Sequence, residues 1–132
     1  RGFDASFTLR AYLGNYVYNN VASNLGHYQF LGQSNAPVAL HASVLKYGFM
    51  SPQLLSDVYV EKASFLRMDN FTVGYTFDRL ANLQRPRIFG TVQNAFTLTD
   101  YSGVDPTAGI NGIDNNIYPR SRTVLGGLTV AF

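Results

Sequence analysis

Residues able to do chemistry gather in one stretch of this chain, positions 99–121, where Asp105, Asn111, Asp114 and Asn115 bring side-chain oxygens together between Tyr101 and Tyr118. Oxygen donors at short intervals suit a calcium ion, but their spacing lacks the regular ligand pattern of an EF-hand loop. Asx side chains also close turns by bonding backbone two residues on, which needs no ion. His27 and His41 have no third ligand evident beside them. No metal site is assigned. Tyr101 and Tyr118 offer flat faces to stack on a sugar ring or pack on a partner protein, and could equally brace their own loop. Glu61 is the single glutamate, no serine occupies a G-x-S-x-G turn, and no phosphate-binding glycine loop follows a strand. Zero cysteine excludes a disulfide framework, a thiolate metal site and a cysteine nucleophile. The sequence therefore predicts neither catalytic residues nor a cofactor.

The elements that must position these residues are strands. In "FDASFTLRAYL" (3–13), Phe3, Ala5, Phe7, Leu9, Ala11 and Leu13 alternate with Asp4, Ser6, Thr8, Arg10 and Tyr12. A period of two is what a strand with one apolar and one wet face requires. A second strand is expected over 57–77, with Phe71, Val73, Tyr75 and Phe77 on one parity and Val58, Val60, Leu66 and Met68 on the other. The flip near Asp69-Asn70 predicts a bulge or bend, since a slip of one residue exchanges the faces. A third strand covers 87–98, where Ile88, Val92, Phe96 and Leu98 share a face although Phe89 and Asn94 blur the pattern. A fourth, 122–132, alternates Val124, Leu128, Val130 and Phe132 with Thr123, Gly127, Thr129 and Ala131. Within 14–56 the sequence predicts a short amphipathic helix after Asn35, with Pro37 in its first turn, Val38, Ala42 and Leu45 on one face, and Gly48 as its stop.

Composition says what such strands are for. Only 14% of the 132 residues are charged while 46% are hydrophobic, against a charged share of about 25% in soluble domains. The net charge of +2 is too small and scattered for nucleic acid. No stretch reaches the roughly 18 to 20 apolar residues of a membrane-spanning helix, and no signal peptide is present. Connections run long (14–56), short (78–86) and long (99–121), as in bacterial outer-membrane barrels, which have long extracellular loops and short periplasmic turns. With the carboxyl end in the periplasm, 14–56 and 99–121 are extracellular and 78–86 periplasmic. Four strands cannot close a barrel, and an open sheet in hydrocarbon leaves unpaired backbone groups costing several kcal/mol each. The smallest such barrels have about eight strands. The reading is thus an all-β, antiparallel transmembrane β-barrel segment within a larger barrel. A start at Arg1 rather than Met agrees with a processed, cleaved or partly observed chain.

The succession "SFLRMDNFTVGYTF" (64–77), "QNAFTLTDYSGVDP" (93–106) and "GIDNNIYPRSRTVLGGLTVAF" (112–132) resembles the carboxyl-terminal end of the SusC/RagA family of TonB-dependent outer-membrane transporters of Bacteroidetes, and "FTLRAYLGNYVYNN" (7–20) is similar to the strand before it. Segment 25–55 lies outside the resemblance. The ending resembles the outer-membrane assembly signal at Gly127, Val130 and Phe132, with Leu125 departing from it where a polar residue is usual. The resemblance implies a 22-stranded barrel of which these are the last four strands, with the rest of the barrel and an amino-terminal plug as companions, a SusD-like surface lipoprotein as lid, TonB as energy source acting through the plug region, and an oligosaccharide or peptide as substrate. It places the protein in the outer membrane of a Gram-negative cell, against the lipid bilayer. Contacts to substrate or partner would then fall on Arg10, Tyr101, Asp105, Asn111, Asp114, Asn115 and Tyr118, while Asp4 and Arg67 share Arg10's lumenal side and ion pairing across the wall is the plainer role for all three. A passive structural or adhesive barrel and a soluble carbohydrate-binding β-sandwich are the competing readings.

Overall fold

Alternating sequence produces a wall in the computed structural model of the chain, which describes residues 2–31, 39–80 and 83–131. The chain divides into two units, residues 1–11, 65–98 and 120–132 in one and residues 12–64 and 99–119 in the other.

The first unit is a sheet of β1 (Phe3–Tyr12), β4 (Phe65–Thr76), β6 (Leu83–Thr99) and β8 (Thr123–Ala131), hydrogen-bonded in that order. The two-residue β5 (Arg79–Leu80) pairs antiparallel with the start of β6 and closes a hairpin. Thr76 N donates to Gly2 O at one end of β1, and Arg10 meets Asp69 at the other, so β1 and β4 also run in opposite directions. Strands of 10, 12, 17 and 9 residues satisfy the roughly 9–11 residues that a tilted membrane strand needs.

The two faces of this sheet differ in kind. On one, Phe7 is 62% exposed, Ile88 53% and Leu128 66%, so no protein layer covers their apolar side chains. Register stacks this face in columns, with Ile88 opposite Leu128 and Val92 opposite Val124. The other face is polar and paired across strands: Arg10 Nη2 donates to Asp69 Oδ1 at 2.8 Å, Arg67 Nε to Thr97 Oγ1 at 2.9 Å, Asn70 Nδ2 to Thr8 Oγ1 at 3.3 Å, Thr72 and Thr91 hydroxyls share a bond at 2.8 Å, and Arg87 pairs with Asp4. Asp69 and Asn70 are neighbours, yet both reach this polar face. Leu66 before the step and Phe71 and Tyr75 after it are exposed on opposite parities. That one-residue slip marks the bend the sequence predicts.

Two glycines serve close approach on the polar face. A Cβ on Gly74 would overlap the Arg87 guanidinium, and one on Gly127 would overlap the Phe89 ring, which lies across it from the opposing position on β6. Pro86 sits where β6 shifts register against β8 between Gln84 and Arg87, with Arg85 at φ 49°, a bulge being where a strand tolerates proline.

The second unit has at its centre β2 (Tyr16–Asn19), paired antiparallel with β3 (Val60–Lys62) and parallel with β7 (Ile113–Asp114). Helices α1 (Asn20–Leu25) and α2 (Ser43–Tyr47) and single 3-10 turns at Tyr28–Phe30 and Asp57–Tyr59 complete it. Its small core joins Val17, Ala63 and Tyr101, with Ala108 packed against them.

Several boundaries differ from those read off the sequence. Residues 57–77 are not one strand: 57–59 form a 3-10 turn and Val60–Lys62 turn away to pair with β2, because Ala63 and Phe65 are buried and the alternation of β4 begins only at Phe65. Within the turn expected at 78–86, β5 pairs with the start of β6, Arg79 opposite Gln84 and Leu80 opposite Leu83, and residues 81–82 lie outside the described residues. Segment 14–56 carries β2 and both helices, and segment 99–121 carries β7. Of the helix expected after Asn35, the described residues show Ser43–Tyr47, where the His41 Nδ1 atom takes the Ser43 amide and Gly48, at φ 64°, ends it in the left-handed conformation. Asn35, Pro37 and Val38 lie outside the described residues.

Candidate functional site

The second unit is where the chemistry-bearing side chains meet, and Asn19 organises it. Asn19 ends β2 and precedes α1, so its Oδ1 accepts the Ala22 amide at 3.0 Å as an N-cap. Its Nδ2 donates to Glu61 Oε1 at 3.2 Å. Glu61, carried by β3 directly opposite Val17, also accepts the Ser102 hydroxyl at 2.7 Å and the Ser102 amide at 3.1 Å. One carboxylate thus ties together β2, β3 and the segment after β6.

Beyond that knot, Tyr101 is buried and its hydroxyl donates to Asp114 Oδ2 at 2.9 Å. Asp114, 1% exposed on β7, receives the Asn116 amide at 2.9 Å and the Asn116 Nδ2 at 2.7 Å on its other oxygen. Burial, the bond to Asp114, and the negative charges of Asp114, Glu61 and Asp105 together push the Tyr101 phenol far above its ordinary range. Asp105 is buried and accepts the Thr107 amide at 2.9 Å, Asn111 Oδ1 accepts the Ile113 amide at 3.3 Å, and Asn115 accepts from Asn20 Nδ2.

The predicted site residues therefore separate. Tyr101, Asp105, Asn111, Asp114 and Asn115 are brought together as the internal brace of one fold unit, with Asx side chains turned on nearby backbone. Asn111, Asn115 and Tyr118 are exposed, Tyr118 at 84%, whereas Tyr101, Asp105 and Asp114 are buried. Arg10 belongs to the other unit and is held by Asp69 through Nε at 3.0 Å and Nη2 at 2.8 Å. Gly127 lies beneath Phe89 and Val130 is on the exposed side of β8, while Phe132 is outside the described residues. Among the described residues no group of His, Asp and Glu is arranged to hold a metal ion.

The sequence did not single out the pocket of about 420 Å³ beside α2, lined by Ser43, Lys46, Tyr47, Tyr59, Glu61 and Ser102 among others. The Tyr47 ring is stacked on Phe49 at 5.6 Å between centroids and set edge-on to Tyr59 at 6.3 Å. Lys46 Nζ lies 4.8 Å from the centroid of the Tyr47 ring, and the neighbouring Tyr47, followed by the charge of Glu61, raises the ammonium pKa. Burial, followed by the neighbouring Tyr18 and Tyr47, raises that of Tyr59. The signal that could have located this pocket is the run "LKYG", whose helix-stopping glycine fixes Lys46 and Tyr47 at a short helix end.

No protein-family model matches the chain. Relatives are nonetheless clear. The chain is 40% identical over 140 aligned positions to the TonB-dependent receptor SusC of Bacteroides thetaiotaomicron, covering 100% of this chain and 14% of that protein. It is 27% identical to the TonB-dependent receptor P3 of Formosa agariphila, covering 100% of this chain and 15% of that protein. Among solved structures it is similar to the RagAB peptide importer in its closed-closed state, with a TM-score of 0.74 and 21% identity over 99% of this chain and 16% of that one, and in its open-open state, with a TM-score of 0.72 and 22% identity over 100% and 16%. The chain thus spans about one-seventh of the length of the curated relatives it matches. The structural likeness is one of fold, an antiparallel piece of barrel wall with its connecting loops.

Proposed function

Since the chain belongs to the SusC/RagA family of TonB-dependent outer-membrane transporters, we propose that it forms the last four strands of a 22-stranded barrel that imports oligosaccharides or peptides, with a SusD-like lipoprotein as lid and energy delivered through TonB. The single observation carrying this reading is the two-faced wall. Its apolar face, with Phe7, Ile88 and Leu128 uncovered, suits lipid, and its other face is a ladder of paired polar side chains suited to a lumen.

The carboxyl end lies in the periplasm in this reading, 14–56 and 99–121 face the cell exterior, and 78–86 faces the periplasm. The braced unit made by those two long segments then presents Tyr118 outward to a lid or substrate, with Tyr101, Asp105, Asn111, Asp114 and Asn115 holding the platform. Arg10, paired with Asp69, lines the lumen.

The test is uptake by cells that depend on the full-length protein, measured with labelled oligosaccharides and peptides in the presence and absence of TonB. The proposal predicts that uptake of one substrate class stops without TonB and that a surface lipoprotein copurifies with the barrel. Uptake that continues without TonB points to a passive barrel.

A further inference from the structure

We infer that Asn111 is a self-modification site, where the Gly112 backbone nitrogen attacks the Asn111 side-chain amide and the loop unit passes to a form with one more carboxylate. The stretch "GINGID" (109–114) holds the chain's single Asn-Gly pair. The chemistry belongs to this turn and is independent of whether the barrel transports.

The fold brings the reacting groups together. Asn111 Oδ1 accepts the Ile113 amide at 3.3 Å, two residues on, so the side chain folds back over its own following peptide. That turn aims the Asn111 Cγ at the Gly112 nitrogen in between. The Ile113 N–H already donates to the oxygen on which charge develops during attack, as an oxyanion donor does. Gly112 has no Cβ to obstruct the approach, and Asn111 is exposed, so water can enter and ammonia can leave. The restraint is the 2.9 Å bond from Gly112 N to Gly109 O, which closes a turn around the exposed Ile110. Exposed turns open at little cost.

When that bond opens, Gly112 N forms a bond to Cγ and gives up its proton. The Cγ–Nδ2 bond breaks, Nδ2 leaves as ammonia with that proton, and a cyclic succinimide remains. Water then opens the ring, either at Cγ to give aspartate or at the main-chain carbonyl to give isoaspartate, and nothing is oxidised or reduced. Both products place a negative charge at 111, in a unit where Asp105, Asp114 and Glu61 already act on Tyr101. Isoaspartate also inserts a methylene into the main chain. The insertion falls just before Gly112 O, which accepts Tyr18 N at 2.9 Å, and before β7, whose Asp114 holds the Tyr101 hydroxyl. Conversion therefore loosens the tie between β2, β7 and Tyr101. Asn115 and Asn116 serve as controls in the same loop, since each precedes a residue with a Cβ and Asn116 Nδ2 is held by Asp114.

The experiment ages the folded, full-length transporter in detergent, in mildly alkaline buffer made with heavy-oxygen water, and follows it by peptide mass mapping. The proposal predicts that Asn111 loses ammonia and takes up solvent oxygen ahead of Asn115 and Asn116. It also predicts that isoaspartyl methyltransferase labels the peptide bearing 111, and that amide exchange in 99–119 rises as conversion proceeds. Gly112→Ala should slow the conversion. Because Gly112 sits at φ 69°, where alanine is strained, a second variant decides the matter if that one disturbs the turn. Asn111→Ser keeps an oxygen to close the turn and removes the amide, so its exchange in 99–119 should stay constant on ageing. Asn111 intact while Asn115 or Asn116 converts, conversion confined to protein unfolded in denaturant, or the same rise in exchange in Asn111→Ser would each overturn the proposal.

Discussion

Replacing Tyr101 by Phe removes one oxygen and tests whether the loop unit is held from within. The ring stays in the core beside Val17 and Ala63, so the apolar packing is kept. What is lost is the 2.9 Å bond to Asp114 Oδ2, on a carboxylate only 1% exposed whose other oxygen is bonded to Asn116. A hydrogen bond to a charged group contributes about 1.5–3 kcal/mol net. At roughly 1.4 kcal/mol per tenfold, local opening should become about 10- to 150-fold more frequent. Amide hydrogen exchange on the full-length protein reads this directly. The Asn116 amide and its neighbours in 99–119 should lose protection by that factor, while β4 and β6 keep theirs, because stability is distributed by local unit. Unchanged exchange in 99–119 would refute the reasoning, as would an equal rise in the strands of the wall.

Three further outcomes follow from the same structure. Gly127→Val places a side chain into the Phe89 ring across the β6–β8 pair, an overpacking worth about 1–3 kcal/mol, and should lower the heat-modifiable, folded fraction of the barrel on gels; an unchanged fraction contradicts the packing. Tyr59 and Tyr101 both have phenol pKa values raised above 10.0, so the folded unit holds protons that the unfolded chain releases. Their contribution is fully present below about pH 10 and declines as pH rises beyond it, so these two tyrosines should be among the last to ionise in a tyrosinate absorbance titration, with the loop unit opening as they do. Exchanging Arg10 and Asp69, each about one-third exposed, should restore uptake impaired by either single change; no restoration would mean Arg10 acts on something other than Asp69.

The wall was legible because a period of two leaves little freedom: Phe3, Phe7 and Leu9 read as one face, and so they lie. The slip at Asp69-Asn70 was also visible, since a bulge must reverse parity. The break before Phe65 was not, because Val58 and Val60 continue an alternation that belongs to a different sheet, and only contact with β2 shows it. Glu61 read as the absence of catalysis rather than as a tie, since its partners Asn19 and Ser102 lie far apart in sequence. The oxygen-rich loop was legible as turn chemistry, and Asp105, Asn111 and Asp114 do cap nearby backbone. The burial of Tyr101, which decides between bracing and stacking, depends on Val17 and Ala63, and no local pattern reports it.

The central claim is that one face of this sheet meets lipid and the other an aqueous lumen. Single cysteines can be placed along adjacent positions of β6 and β8 in a full-length transporter otherwise free of cysteine, at Arg87, Ile88, Leu128 and Thr129, and probed in native outer membranes with a water-soluble maleimide and with a fluorophore quenched by lipid-borne spin labels. The account predicts that the positions of Arg87 and Thr129 react from water, while those of Ile88 and Leu128 resist the maleimide and are quenched from the bilayer. Equal reactivity at all four, or quenching at the Arg87 and Thr129 positions, would contradict it.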